Sequence, residues 1–153
     1  MSASTPRDLI TWDHWAIAET AAPPRLGIIR FRTPVLGTDQ VKGYPRCLRI
    51  LWAYADEGAG ALPDAATTRR LQAFENRVVD ALERDAVAVL TAVLTFDGAR
   101  QWVFYTADAY TCGARIEKMP QEQDPYPIEI DVFDDPEWRY LRDEILSTVP
   151  RDA

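Results

Sequence analysis

The stretch VAVLTAVLTFDGARQWVFYT, residues 87–106, decides the fold. Residues 87–96 are a continuous apolar, β-branched run of strand length, the pattern of a strand buried on both faces. Asp97-Gly98 is a hairpin-turn pair, because both positions accept the positive φ that a tight two-residue connection requires. In the return strand, 100–106, Trp102 and Phe104 alternate with Gln101 and Tyr105.

Upstream, Asp64 follows Pro63 at a helix N-cap position. Leu71, Phe74, Val78 and Leu82 then recur at helical spacing, with Arg69, Arg70, Glu75, Arg77 and Glu83 as polar cover. Before that helix, residues 46–54 alternate: Leu48, Ile50, Trp52 and Tyr54 on one face, Cys47, Arg49, Leu51 and Ala53 on the other. Downstream, 108–118 reads as a short helix ended before Pro120, and 128–132 as an edge strand entered through Pro-Tyr-Pro. Pro136 opens a closing helix on which Trp138, Leu141 and Ile145 share a face.

The order from Arg46 is strand, helix, strand, strand, helix, strand, which predicts an α+β, ferredoxin-like split βαβ sandwich: an antiparallel sheet with helices on one face. Strands 46–54 and 100–106 are expected to be central and parallel to each other. The flanks are expected to be 87–96 beside the second and 128–132 beside the first. Two further strands, Trp12–Glu19 and Leu26–Thr33, flank the turn TAAPPR as an N-terminal hairpin extension. Residues 1–10 read as a flexible arm and 11–148 as one domain.

The outer sheet face would carry Cys47, Leu51, Ala53, Val89, Val93, Val103 and Tyr105 among Arg49, Thr91, Gln101, Glu129 and Asp131. It is too apolar to stand in water, so the hairpin, a second copy or a partner protein is expected to cover it. On that face Arg49 should meet Glu129 or Asp131 across antiparallel neighbours.

At 153 residues the chain can bury a sizeable core without disulfide or metal. One His and two Cys cannot build a zinc cluster or a Cys₄ iron–sulfur site. The net charge of −7 arises wholly beyond residue 120, where 10 acidic and 3 basic residues lie. Such an end opposes nucleic acid, although Arg30, Arg32, Arg46 and Arg49 could form a local basic strip. No run approaches the ~20 apolar residues of a membrane helix, and no secretion signal is visible, so a cytoplasmic protein is expected.

The densest polar cluster is EIDVFDDPEW, 129–138. A cation could take its carboxylates, but capping is the more economical reading: Asp134 or Asp135 as cap, Pro136 at the first turn, Glu137 near the positive helix end. Asp134, Asp135 and Glu137 are then a candidate acidic surface. His14 is the sole imidazole and sits in no nucleophile motif, and no phosphate-binding glycine loop occurs. No catalytic residue, metal or cofactor is therefore assigned.

Trp52-Ala53-Tyr54, Phe74-Glu75, WVFYT (102–106), PYPIEI (125–130) and DDPEW-x-Y (134–140) together resemble a bacterial family catalogued as domain of unknown function 695. The resemblance spans about Trp12 to Leu146. It implies no established reaction. In some relatives a similar domain is joined to one resembling the protein inhibitor of ribonuclease E, which implies regulatory, protein-binding work. The resulting expectation is a non-catalytic interaction or regulatory module. It would have an acidic C-terminal surface and a protein partner or homodimer on the outer sheet face. The alternative is a small enzyme or small-molecule binder with a pocket on that face. Arg49, Tyr105, Glu129 and Asp131 are the candidate ligand- or partner-facing groups.

Overall fold

The computed structural model describes residues 6–11, 13–22, 25–33, 43–54 and 62–149. A short helix α1 (Pro6–Thr11) precedes strands β1 (Trp15–Ala22), β2 (Arg25–Arg32) and β3 (Arg46–Ala53). Helix α2 (Ala65–Glu83), the hairpin β4 (Ala88–Phe96) and β5 (Ala99–Thr106), helix α3 (Ala109–Lys118) and strand β6 (Glu129–Asp134) follow. The chain then closes with α4, a π-helical turn Tyr140–Ile145 continued by a 3₁₀ turn Leu146–Thr148.

The strands form one six-stranded antiparallel sheet in the order β1-β2-β4-β5-β3-β6. The order of the last four strands is as expected, but the two central ones, β3 and β5, run antiparallel, not parallel. The reason is geometric. The crossover through α2 makes β3 and β4 point the same way, and the Asp97-Gly98 turn reverses the chain. A strand inserted between β3 and β4 must therefore oppose both. Asp97 and Gly98 carry φ of 53° and 77°, the left-handed pair that this turn demands.

The local signals account for the helices. Asp64 accepts a hydrogen bond from Thr67 N at 2.7 Å, and Asp108 accepts one from Thr111 N at 3.0 Å. The stripe Leu71, Phe74, Val78 and Leu82 is fully buried against the sheet. Phe74 lies at its centre, its ring 4.9 Å from both Trp102 and Tyr126 and 5.7 Å from Trp52. This core is closed by Cys112, Ile116 and Met119 of α3 and its C-terminus.

The sheet is covered on both faces, not one. Leu9 of α1 and Trp138, Leu141 and Ile145 at α4 pack on the outer face against Cys47, Val89, Ala92, Val103 and Tyr105. Over residues 6–10 the expected flexible arm is thus helix, with Leu9 fully buried. The N-terminal hairpin does not cover the outer face either: β2 pairs with β4 and extends the sheet sideways. A bulge between Leu90 and Ala92 inverts the alternation of β4, so Val93 joins the α2 side and Ala92 the outer side. Strict period-two alternation would place Val93 outside. Among the described residues no helix is long and apolar enough to cross a membrane.

Candidate functional site

Where β3, β5 and β6 meet on the outer face, α4 ends its cover and a small hollow of about 230 Å³ opens. Arg49, Leu51, Gln101, Glu129, Ile130 and Asp131 line it. The register sets Arg49 directly opposite Asp131, and the two carboxylate oxygens bind the guanidinium in fork fashion, Nε to Oδ1 at 2.8 Å and Nη2 to Oδ2. The expected cross-strand pair is therefore present. Arg49 also lies 5.0 Å from each of the Phe133 and Tyr140 ring centroids. Its bond to Asp131 holds the guanidinium above its usual pKa and the Asp131 carboxyl below the usual carboxylate range. Tyr140 is fixed in turn, its hydroxyl accepting from Gln101 Nε2 at 2.8 Å. Glu129 completes the hollow opposite Leu51 and has no hydrogen bond or ion pair among the described residues.

Of the four ligand-facing candidates, the structure thus gathers Arg49, Glu129 and Asp131 and removes Tyr105. Tyr105 is fully buried, stacked on Trp138 with centroids 4.2 Å apart. Its hydroxyl donates to Asp135 Oδ2 at 2.7 Å, and burial pushes its pKa well above the usual value. It faces the protein's own C-terminal segment, so no ligand can reach it without unfolding that segment.

The acidic trio is dispersed in the same way. Asp135 is buried and caps α4, its carboxylate accepting from Arg139 N at 2.8 Å and Tyr140 N at 2.9 Å. Asp134 pairs with Arg46 at 3.7 Å and Glu137 with Arg139 at 2.7 Å. Pro136 precedes the helix instead of opening it. Residues 135–138 make a turn closed by Trp138 N to Asp135 O at 3.0 Å, and Trp138 takes φ of +57°. That strain is held by stacking on Tyr105 and by a bond from Trp138 Nε1 to Tyr44 O at 2.8 Å. Three of the ten C-terminal acidic residues meet arginines from earlier in the chain: Asp134 meets Arg46, Asp131 meets Arg49, and Glu122 meets Arg70 at 2.7 Å.

The four arginines of β2 and β3 do not form a strip. β4 and β5 separate the two strands, and Arg30 and Arg32 face α2 while Arg49 faces the opposite side. Arg32 is buried and pairs with Glu83 at 2.9 Å, and Arg30 pairs with buried Glu75, which also accepts from Trp102 Nε1 at 3.0 Å. These two glutamates clamp the hairpin to α2; they are not solvated cover. The signal was available: arginines two apart on a strand meet glutamates eight apart on a helix.

Neither cysteine is poised for chemistry. Cys47 is buried and its thiol pushed up to about 12, chiefly by desolvation, and the buried Cys112 is raised for the same reason. His14 is exposed just before β1, its carbonyl accepting from Thr33 N at 2.9 Å. Among the described residues no three His, Cys, Asp or Glu side chains gather as metal ligands. A feature missed from sequence is a second cavity, about 640 Å³, between α2 and α3.

A family model described as "Family of unknown function (DUF695)" matches residues 13–145, and the chain belongs to that family. No curated protein and no solved structure matches the chain.

Proposed function

We propose that this member of the family is a non-catalytic binding module that takes an extended, basic segment of a partner protein along its β6 edge. The observation carrying this reading is the state of β6 itself. It is the sheet's terminal strand, and five of its six residues are exposed, including Ile130 at 42% and Val132 at 40%. An edge strand leaves a row of backbone donors and acceptors free to pair with an added strand. Acidic Glu129 and Asp131 alternate there with apolar Ile130 and Val132, so the complementary strand alternates basic with apolar side chains. The hollow beside β6 has room for one long side chain, and Glu129 is its uncommitted carboxylate.

The motif residues support the same reading indirectly. Trp52, Phe74, Trp102, Phe104, Tyr105, Asp135 and Trp138 are all buried, and so build the fold rather than a reactive surface. The ferredoxin-like description belongs to this proposal too: the order β4-β5-β3-β6, with α2 and α3 on one face, supports it. Calorimetric titration with a soluble peptide alternating lysine and valine tests the function. Saturable binding that is abolished by Glu129→Lys, and absent for the glutamate–valine peptide, is expected. Equal binding of both peptides, or none of either, refutes it.

A second reading rests on the hollow alone: a small-molecule site formed by Arg49, Gln101, Glu129 and Asp131. At about 230 Å³ it is smaller than the ~300–1,000 Å³ usual for organic ligands. Homodimerisation through β6 is a further outcome, read from the mass in solution.

A further inference from the structure

We infer that the groove between α2 and α3 is a binding site for an elongated organic dianion with an apolar body. The groove lies on the opposite face of the sheet from α4, and the inference stands independently of the proposed function. Its volume, about 640 Å³, is that of a small-molecule site. Arg77, Arg84, Arg115 and Lys118 line it against only Asp80 and Asp85, an excess of two positive charges on a chain of net charge −7. The floor between them is apolar, with Ala81, Met119 and Pro120.

The cations are placed at two ends. Arg77 lies on α2 and Arg84 caps its C-terminus seven residues later, about 10 Å along the axis. The helices run antiparallel past each other, since Arg77 donates to Pro120 O at 3.5 Å while Arg115 donates to Arg84 O at 2.9 Å. Arg77 and Lys118 therefore mark one end, and Arg84 and Arg115 the other. One carboxylate or phosphate cannot reach both, whereas a molecule with an acid group at each end can.

The competing carboxylates are weak. Asp80 and Asp85 are 69% and 75% exposed in their pairs with Arg84 and Arg115, and such pairs contribute only about 0–1 kcal/mol. Lys118 has no partner among the described residues.

The test is calorimetric titration of the full chain at low ionic strength with sebacate, a ten-carbon dicarboxylate. Single-site binding is expected, weakened at least about tenfold by Lys118→Ala, an exposed position whose loss leaves the fold intact. Arg139→Ala, on the far side of the sheet, should leave it unchanged. Decanoate and succinate, which satisfy one end or cannot span the groove, should each bind at least about tenfold more weakly. Absence of saturable sebacate binding, equal binding of decanoate, or unaltered affinity in Lys118→Ala would each overturn the inference.

Discussion

Removing the Asp135 carboxylate, by Asp135→Ala, takes three hydrogen bonds from one buried group. Asp135 accepts from Tyr105 Oη at 2.7 Å, Arg139 N at 2.8 Å and Tyr140 N at 2.9 Å. Hydrogen bonds to a charged acceptor contribute roughly 1.5–3 kcal/mol each, but the two amides at the start of α4 can recover water when the carboxylate goes. The fully buried Tyr105 hydroxyl keeps only its acceptor role, toward Leu141 N at 3.3 Å, and loses its donor contact. A net loss of about 3–5 kcal/mol follows, a large part of the ~5–15 kcal/mol of a whole domain. For a chain of this length it corresponds to a fall in Tm of roughly 6–20 °C. Urea unfolding followed by tryptophan fluorescence reads it, with the m-value as control for two-state behaviour. Tyr105→Phe should cost less, about 1–2 kcal/mol, because Asp135 retains both amides. The double variant should fall short of the sum by about 0.5–3 kcal/mol, since the partners share one bond. A cost below about 1 kcal/mol for Asp135→Ala would refute the view that this carboxylate pins α4 to the sheet.

Other outcomes follow from the same geometry. Phe74→Ala, at the meeting of three aromatic rings, should cost about 3–5 kcal/mol in the same assay. Val93→Asp should prevent folding, as judged by circular dichroism, because the β4 bulge turns Val93 into the α2-side core; a folded variant would contradict its burial. Asp131 has its folded pKa depressed by Arg49, so its contribution is present above the unfolded value of about 3.9 and lost as pH falls through the lower folded value. Asp131→Asn should therefore lose up to about 1 kcal/mol at neutral pH, an exposed-pair magnitude, with the difference from the wild type closing in acid. A thiol reagent at mildly alkaline pH should leave Cys47 and Cys112 unmodified in the native protein and label both in denaturant.

Elements set by local rules could be read from sequence, and those set by three-dimensional closure could not. Asp64 and Asp97-Gly98 act through neighbours within a few residues, so cap and turn fall where the pattern puts them. The pairing of Arg49 with Asp131 was also legible, because register transmits alternation across 82 positions of chain. Trp138, by contrast, takes a left-handed φ that its residue type disfavours and only its tertiary contacts enforce. The turn it makes carries the closing helix to the outer face, and so decides that Tyr105 and Asp135 are interior. The β4 bulge has no local signature either, although Thr91, the extra residue, buries its hydroxyl on Val103 O at 2.8 Å. Charge counted along the chain also takes no account of arginines that the fold brings from elsewhere.

Hydrogen exchange of the β6 amides, with and without the lysine–valine peptide, tests the proposed docking edge most directly. Exchange within Glu129–Asp134 is expected to slow on addition of that peptide, while the edge amides of β1 remain unchanged. Protection at β1 instead, or none at β6 under saturating peptide, would contradict the account.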